Sequence, residues 1–360
     1  MKKKERIGRE KLEDNKKKIL VVDDSALMRR IICDIISADN RFFVQDMAAN
    51  GEEAMTLLKE HSYDAVILDV IMPRMDGIAV LEQIQSLGID TKVVVFSTTT
   101  KEGAATTIKA LELGAFDFIH KPSAILEAKT DHFMERFLSI LECATQREEP
   151  VIEKMTANKK SKKSDKKGSN KIVAIASSTG GPKALQEVIP YLTADLDAPV
   201  LIVQHMPAGF TASLAQRLDE LSPLHVQEAQ DGMEIRKGNV YLAQGGKHME
   251  VMQKDGKHYI LLKDGPTREG VRPCANFMFE TLGTSGYESV VCVVLTGMGA
   301  DGTQGIQNLS KQKPVHVIAQ EKSTCAVYGM PRSIVATGIV DQIEPLDNIA
   351  SAIILNAGVQ

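Results

Sequence analysis

Residues 172–183 read IVAIASSTGGPK. Ile172, Val173, Ala174 and Ile175 make an apolar, β-favouring run that ends abruptly in two serines, a threonine and two glycines. Pro182 then opens a helical spacing through Ala184, Leu185, Val188 and Ile189. Strand, tight turn and helix in that order form the repeating unit of a parallel α/β sheet. A serine at the tip of the turn stands at the carboxyl edge of the sheet, and the helix N-terminus behind it favours developing negative charge. That is a position for a nucleophile. Taken alone, the stretch is equally an N-cap serine on an ordinary helix or a glycine loop that cradles phosphate.

The alternation continues downstream. Residues 199–203 (PVLIV) read as a strand ending in Gln204 and His205, and 210–221 as a helix. Short strands follow at 224–228, 240–243, 249–253 and 259–263, with Asp255-Gly256 as a hairpin signal. Residues 290–295 form a continuous apolar strand ahead of Thr296, Gly297, Met298, Gly299, Ala300 and Asp301 and a helix. A last strand at 315–319 and helices around 330–336 and 346–355 complete a Rossmann-like, doubly wound parallel sheet with an antiparallel hairpin, spanning 171–357. Ser178, His205 and Asp301 then sit at three strand ends. Acyl transfer needs a hydroxyl, an imidazole to take its proton and a carboxylate to fix the imidazole. Taken singly, His205 reads as a capped or core histidine and Asp301, ahead of Gly302, as an N-cap. The order Ser, His, Asp differs from those of the common hydrolase folds.

A second α/β domain is expected upstream, over 18–146. Strands at 18–22, 42–48, 65–68, 92–96 and 116–119 alternate with helices, and five such units imply another doubly wound parallel sheet. Asp23 and Asp24, Asp69, Ser97 and Lys121 each lie just past a strand, where open α/β sheets build their sites. Three carboxylates at one edge repel one another unless a cation neutralises them, and a hard divalent ion, most simply Mg²⁺, does so. Lys121 adds a fixed positive charge and Ser97 a hydroxyl, which together suit an aspartyl-phosphate. Each residue alone has an ordinary reading: Asp24 as an N-cap, Asp69 as a turn residue, Lys121 as a solvated side chain.

The remaining stretches are a charged leader, 1–17, and a Lys- and Ser-rich linker, 147–170, whose composition cannot bury enough surface to fold alone. The whole chain has 360 residues, 43 % of them hydrophobic, which gives two domains a proper core each. Net charge −4, 4 % aromatics and no tryptophan argue against a nucleic-acid surface. Five scattered cysteines without CxxC spacing indicate neither disulfides nor zinc and suit a reducing compartment. No apolar run approaches the length of a membrane span, so the expected location is cytoplasmic, without membrane insertion.

The segments VVDDSALMRR, LDVIMPRMDG, VFST and FIHKP resemble the receiver domain of bacterial response regulators. The resemblance implies that Asp69 is the phosphoacceptor, that Asp24, Asp69 and the Ile71 carbonyl ligate Mg²⁺, and that Asp23 helps through water. It also implies that Lys121 contacts the phosphoryl group, that Ser97, with Thr98 beside it, is the switch hydroxyl, and that Phe118 is the aromatic that moves with it. ASSTGGP, QHMPAGF, GGKHME and LTGMGADG are similar to the catalytic domain of the CheB family of chemotaxis protein-glutamate methylesterases. That likeness makes Ser178 the nucleophile, with Ser177 the neighbouring alternative, His205 the general base and Asp301 the orienting acid. Thr179 and the Met298 N–H would lie near the substrate carbonyl. It implies a phosphorylation-activated esterase that hydrolyses glutamate γ-methyl esters on chemoreceptors, releases methanol and deamidates receptor glutamines. Chemoreceptors would be substrates and a chemotaxis histidine kinase the phosphodonor. Mg²⁺ would belong to the receiver, and hydrolysis would need no cofactor. Two departures stand out. Ala176 replaces a glycine of the serine motif, adding a methyl at a tight turn, and Asn276 in Arg272-Pro273-Cys274-Ala275-Asn276 stands where the family often has Asp. The rival outputs are a DNA-binding domain, which a large α/β region does not resemble, and a nucleotide site on the STGG loop, which lacks the Walker lysine-hydroxyl pair.

Overall fold

The computed structural model describes residues 16–122, 124–146 and 170–359. The leader except Lys16 and Lys17, and the linker except Asn170, lie outside the described residues. The chain divides into two units between 151 and 152.

In the first unit, β1 (Lys17–Val22), α1 (Ala26–Ser37), β2 (Phe42–Ala48), α2 (Gly51–Glu60), β3 (Ala65–Asp69) and α3 (Gly77–Leu87) alternate along the chain. They are followed by β4 (Lys92–Ser97), α4 (Lys101–Glu112), β5 (Asp117–His120), a short α5 (Ile125–Ala128) and α6 (Asp131–Thr145). Ile19–Val22 and all of Ala65–Asp69 are buried, so β1 and β3 form the middle of a sheet covered on both faces. The strands are parallel in the order β2-β1-β3-β4-β5. Local capping sets the helix starts: Ser25, Asn50, Asp76, Thr100 and Thr130 each accept a backbone N–H from the first turn. The last long helix, α6, completes the fifth strand-helix unit, for which the sequence reading assigned no helix residues. It buries Phe137, Ile140, Leu141 and Ala144 against Ile32, Ile36 and Phe96.

The strand order reverses direction at β1 and β3, which opens a crevice at their carboxyl ends. Asp23 and Asp24 follow β1 and Asp69 ends β3. Gly77 is required beneath it, because a Cβ there would press on the Asp69 carbonyl and lie 2.7 Å from Val70 Cα.

The second unit opens with β6 (Lys171–Ser177), α7 (Gly181–Val188), β7 (Val200–Gln204), α8 (Phe210–Leu221), β8 (His225–Glu228) and β9 (Asn239–Leu242). It continues with β10 (His248–Lys254), β11 (Lys257–Lys263), α9 (Ala275–Thr284), β12 (Ser289–Val294) and α10 (Thr303–Ser310). β13 (Val315–Gln320), α11 (Met330–Val335), β14 (Gln342–Glu344) and α12 (Leu346–Ala357) close it. Seven strands form one parallel sheet in the order β14-β13-β12-β6-β7-β9-β8. β10 and β11 pair antiparallel as a separate hairpin, turned by Asp255 (φ 51°) and Gly256 (φ 73°). α9 and β14 are additions to the elements expected from sequence. α9 packs Ala275, Met278, Phe279 and Leu282 into the main core.

Candidate active site

β6 lies between β12 and β7, so their carboxyl ends stand side by side at the point where the chain changes its direction of travel along the sheet. Ser177 pairs with Gln204 in the β6–β7 register, which makes Ser178 and His205 neighbours just beyond it. The His205 N–H donates to the Ser177 carbonyl at 3.1 Å. The two serines are not equivalent. Ser177 is fully buried and its hydroxyl donates to Gln204 Oε1 at 2.6 Å, whereas Ser178 is partly exposed. The Ser178 N–H donates to the Thr296 carbonyl at 3.0 Å, and its own carbonyl accepts from the Gly181 N–H at 2.8 Å and Gln204 Nε2 at 2.9 Å. The turn leaves no room for side chains: a Cβ on Gly180 (φ 72°) would strike Ala326, and one on Gly181 would strike the Gln204 amide.

His205 and Asp301 are both buried, with His205 Nε2 2.7 Å from Asp301 Oδ2. The same oxygen accepts from the Ala275 N–H at 2.6 Å. Asp301 Oδ1 accepts from Cys274 Sγ at 3.0 Å, the Asn276 N–H at 3.0 Å and the Gly302 N–H at 2.8 Å. Cys274 is the N-cap residue of α9 and its side chain makes no cap bond, so Asp301 does the capping from 26 residues away, where the helix dipole favours an anion. Burial alone would raise the Asp301 carboxyl; the His205 hydrogen bond and charge, with the Cys274 and Ala275 donors, outweigh it and hold the group at about 2. An ionised Asp301 fixes the proton on Nε2 and leaves Nδ1 as the basic nitrogen.

Thr179 is buried and its carbonyl accepts from Thr296 Oγ1 at 3.0 Å. The Gly297-Met298 segment runs beside the serine: a Cβ on Gly297 would lie 2.7 Å from Ser178 Cβ. Met298 is partly buried, and no hydrogen bond among the described residues uses its N–H. Ala176 is fully buried in the core between the sheet and α9, which absorbs its extra methyl. Asn276 accepts from the Gly305 N–H at 2.6 Å and donates to Glu269 Oε1 at 2.6 Å, and an ionised Asp in its place could make only the first of these.

The first unit carries a separate acidic cluster. Asp23, Asp24 and Asp69 bring carboxylate oxygens within 4.8 Å of one another. Lys121 Nζ lies 2.6 Å from Asp69 Oδ2 and 2.8 Å from Asp23 Oδ2, the latter without the alignment of a hydrogen bond. Asp69 Oδ1 accepts from the Ile71 N–H at 3.2 Å, and Asp23 Oδ1 from Ser25 N–H at 2.8 Å. Burial lifts the Asp69 carboxyl to about 6 against the pull of Lys121. An all-oxygen donor set of three carboxylates, one of whose buried oxygens makes no aligned hydrogen bond, fits a hard divalent cation. The neighbouring hydroxyl points elsewhere: Ser97 is fully buried and donates to the Gly103 carbonyl at 3.1 Å, while its own carbonyl accepts the Lys121 N–H at 2.7 Å. Thr98 is partly buried, with its hydroxyl 3.2 Å from that of Thr100, and Phe118 is buried.

Sequence reasoning placed Ser178, His205 and Asp301 on three strand ends but gave no role to Gln204, Thr296 or Cys274, which hold them. Gln204 stood in plain view as the last residue of a strand; only its register opposite Ser177 marks it.

A family model described as CheB methylesterase matches residues 173–353, and one described as response regulator receiver domain matches 19–130. A protein-glutamate methylesterase/protein-glutamine glutaminase 1 of Syntrophomonas wolfei is 41 % identical over 94 % of this chain and 99 % of its own. A protein-glutamate methylesterase/protein-glutamine glutaminase of Bacillus subtilis is 38 % identical over 93 % of this chain and 97 % of its own. Among solved structures, the CheB methylesterase catalytic domain of Thermotoga maritima is 43 % identical, with a TM-score of 0.50, over 52 % of this chain and 98 % of that one.

Proposed function

The chain belongs to the CheB methylesterase family, with a response-regulator receiver ahead of its catalytic domain, and on that premise we propose that Ser178, His205 and Asp301 carry the family's ester hydrolysis. Membership makes the protein a carboxylic ester hydrolase, a protein-glutamate methylesterase and protein-glutamine glutaminase regulated through its receiver in chemotaxis. The observation that supports this triad is the anchored His205–Asp301 pair beside a partly exposed Ser178, with Ser177 withdrawn into the core.

His205 Nδ1 takes the Ser178 proton as Oγ attacks the glutamyl ester carbon. The Met298 N–H supplies a donor for the resulting oxyanion, with Thr179 beside it. Collapse breaks the bond to the methoxy oxygen, which receives the proton from His205 and leaves as methanol. Water then attacks the Ser178 ester, again with His205 as base, and the glutamate carboxylate departs. A glutamine side chain follows the same course with ammonia as leaving group. Methanol release from methyl-labelled chemoreceptor membranes tests the assignment. Ser178→Ala should abolish release in folded protein; retained release would move the nucleophile elsewhere.

In the receiver, Asp69 serves as phosphoacceptor with Lys121 offsetting the phosphoryl charge. Asp23, Asp24 and Asp69, with the Ile71 carbonyl, would hold Mg²⁺, which supplies charge neutralisation for phosphoryl transfer. Ser97 and Phe118 form the switch pair that responds. Its phosphodonor is a chemotaxis histidine kinase and its substrates are methyl-accepting chemoreceptors. No helix of the described residues is long and apolar enough to cross a membrane.

A further inference from the structure

We propose that Gln204 is a positioning residue for catalysis, whose side-chain amide sets the nucleophile turn and commits Ser177 so that Ser178 alone reacts. The inference rests on the triad reading above and goes beyond it to a residue outside the triad.

Gln204 closes β7 and is 1 % exposed. Its amide makes bonds of both polarities. Oε1 accepts from Ser177 Oγ at 2.6 Å, and Nε2 donates to the Ser178 carbonyl at 2.9 Å and to the His205 carbonyl at 3.3 Å. One side chain thus grips the backbone of both the nucleophile and the base. The amide occupies the space left by Gly181, where a Cβ would collide with it, so turn and amide are fitted to each other. From the opposite flank, β12 extends into Thr296, whose carbonyl holds the Ser178 N–H and whose hydroxyl holds the Thr179 carbonyl. Ser178 is therefore braced from both neighbouring strands, and Gln204 is the brace on the His205 side. Without it, the Ser178 carbonyl keeps the Gly181 N–H and the His205 N–H keeps the Ser177 carbonyl, but the side-chain tie between the Ser178 and His205 carbonyls is gone. The Ser177 hydroxyl is also released from its acceptor.

The amide's two polarities give a test that packing alone does not pass. Gln204→Glu keeps the shape and the acceptor for Ser177 but donates only when its carboxyl is protonated, which burial favours well above the usual carboxylate range. Gln204→Met keeps the volume and removes every hydrogen bond. The readouts are kcat and KM for methyl-ester hydrolysis across pH, the rate at which a small fluorophosphonate labels the protein, mass-spectrometric identification of the labelled serine, and the thermal midpoint. Gln204→Met should lose kcat and labelling rate at least about tenfold with little change in KM, the scale of a lost buried donor. Gln204→Glu should be as poor at high pH and regain rate as pH falls, which inverts the slope of the wild-type profile on that limb. Label should also reach Ser177 in the methionine variant. Equal kcat and labelling in wild type and both variants at every pH would overturn the proposal, as would parallel losses at all pH in both. Should Gln204→Met fail to fold, the pH profile of Gln204→Glu decides alone. Methanol release retained by folded Ser178→Ala would instead refute the triad reading itself.

Discussion

Five donors converge on the two oxygens of Asp301, three of them from the start of α9. The group is consequently held at about 2 in the folded protein, below the unfolded carboxylate value of about 3.9. Its stabilisation is fully present above the unfolded value and is lost as pH falls toward the folded one. Thermal midpoints measured between pH 5 and pH 2 should therefore fall more steeply in wild type than in Asp301→Asn. The same variant should hydrolyse methyl esters roughly 10³-fold more slowly or worse at neutral pH, because an amide in that place no longer fixes the imidazole tautomer. A full-rate Asp301→Asn enzyme would contradict the orienting role. At this scale the sequence displayed the reactive groups but not their supports. The residue types in ASSTGG do not by themselves separate Ser177 from Ser178, and the preference for Ser178 comes from the family resemblance; the strand register, which faces Ser177 with Gln204, adds the physical difference between a buried donor and a partly exposed hydroxyl.

Elements were legible where their signals were local. Strand 42–48 and helix 210–221 coincide with the expected bounds, the helix because Phe210, Leu214, Ala215, Leu218 and Leu221 keep one face between Gly209 and Ser222. The hairpin at Asp255-Gly256 is equally local. α9 was overlooked although Ala275, Met278, Phe279 and Leu282 keep helical spacing, because its capping group is Asp301, distant in sequence, and nothing beside Cys274 announces a start. α6 had both its Thr130 cap and its spacing, and was passed over beside the last strand; β14, three residues long, carries too little pattern to read. The loop after β12 makes its own prediction. A methyl on Gly297 would lie 2.7 Å from Ser178 Cβ and press on Met330 Sδ. Gly297→Ala should cost about 1–3 kcal/mol of stability by overpacking, read as a lower thermal midpoint, and should depress kcat beyond what the unfolded fraction explains. Unchanged kcat would show that this segment does not set the serine.

Over the whole molecule, two doubly wound sheets each gather polar side chains at a reversal of strand order, one with carboxylates and a lysine, the other with a serine, a histidine and an aspartate. That much follows from alternating strand and helix patterns with polar residues at strand ends, which is why the general architecture was readable from sequence. Coupling between the two sites is a property of the intact chain. Adding a small phosphodonor with Mg²⁺ should raise methyl-ester hydrolysis by wild type and leave Asp69→Asn at its unstimulated rate; equal stimulation of both would remove Asp69 from the regulatory role. The strand order of the catalytic sheet has one more consequence. β12, β6 and β7, which carry Asp301, Ser178 and His205, each have a parallel neighbour on both sides, while β8 and β14 form the rims. Amide hydrogens of these three strands should meet solvent deuterium through openings that approach global unfolding, and those of the rims through local fraying. The groups proposed for catalysis thus hang from the part of the domain expected to exchange most slowly, and hydrolysis should persist until the fold itself gives way.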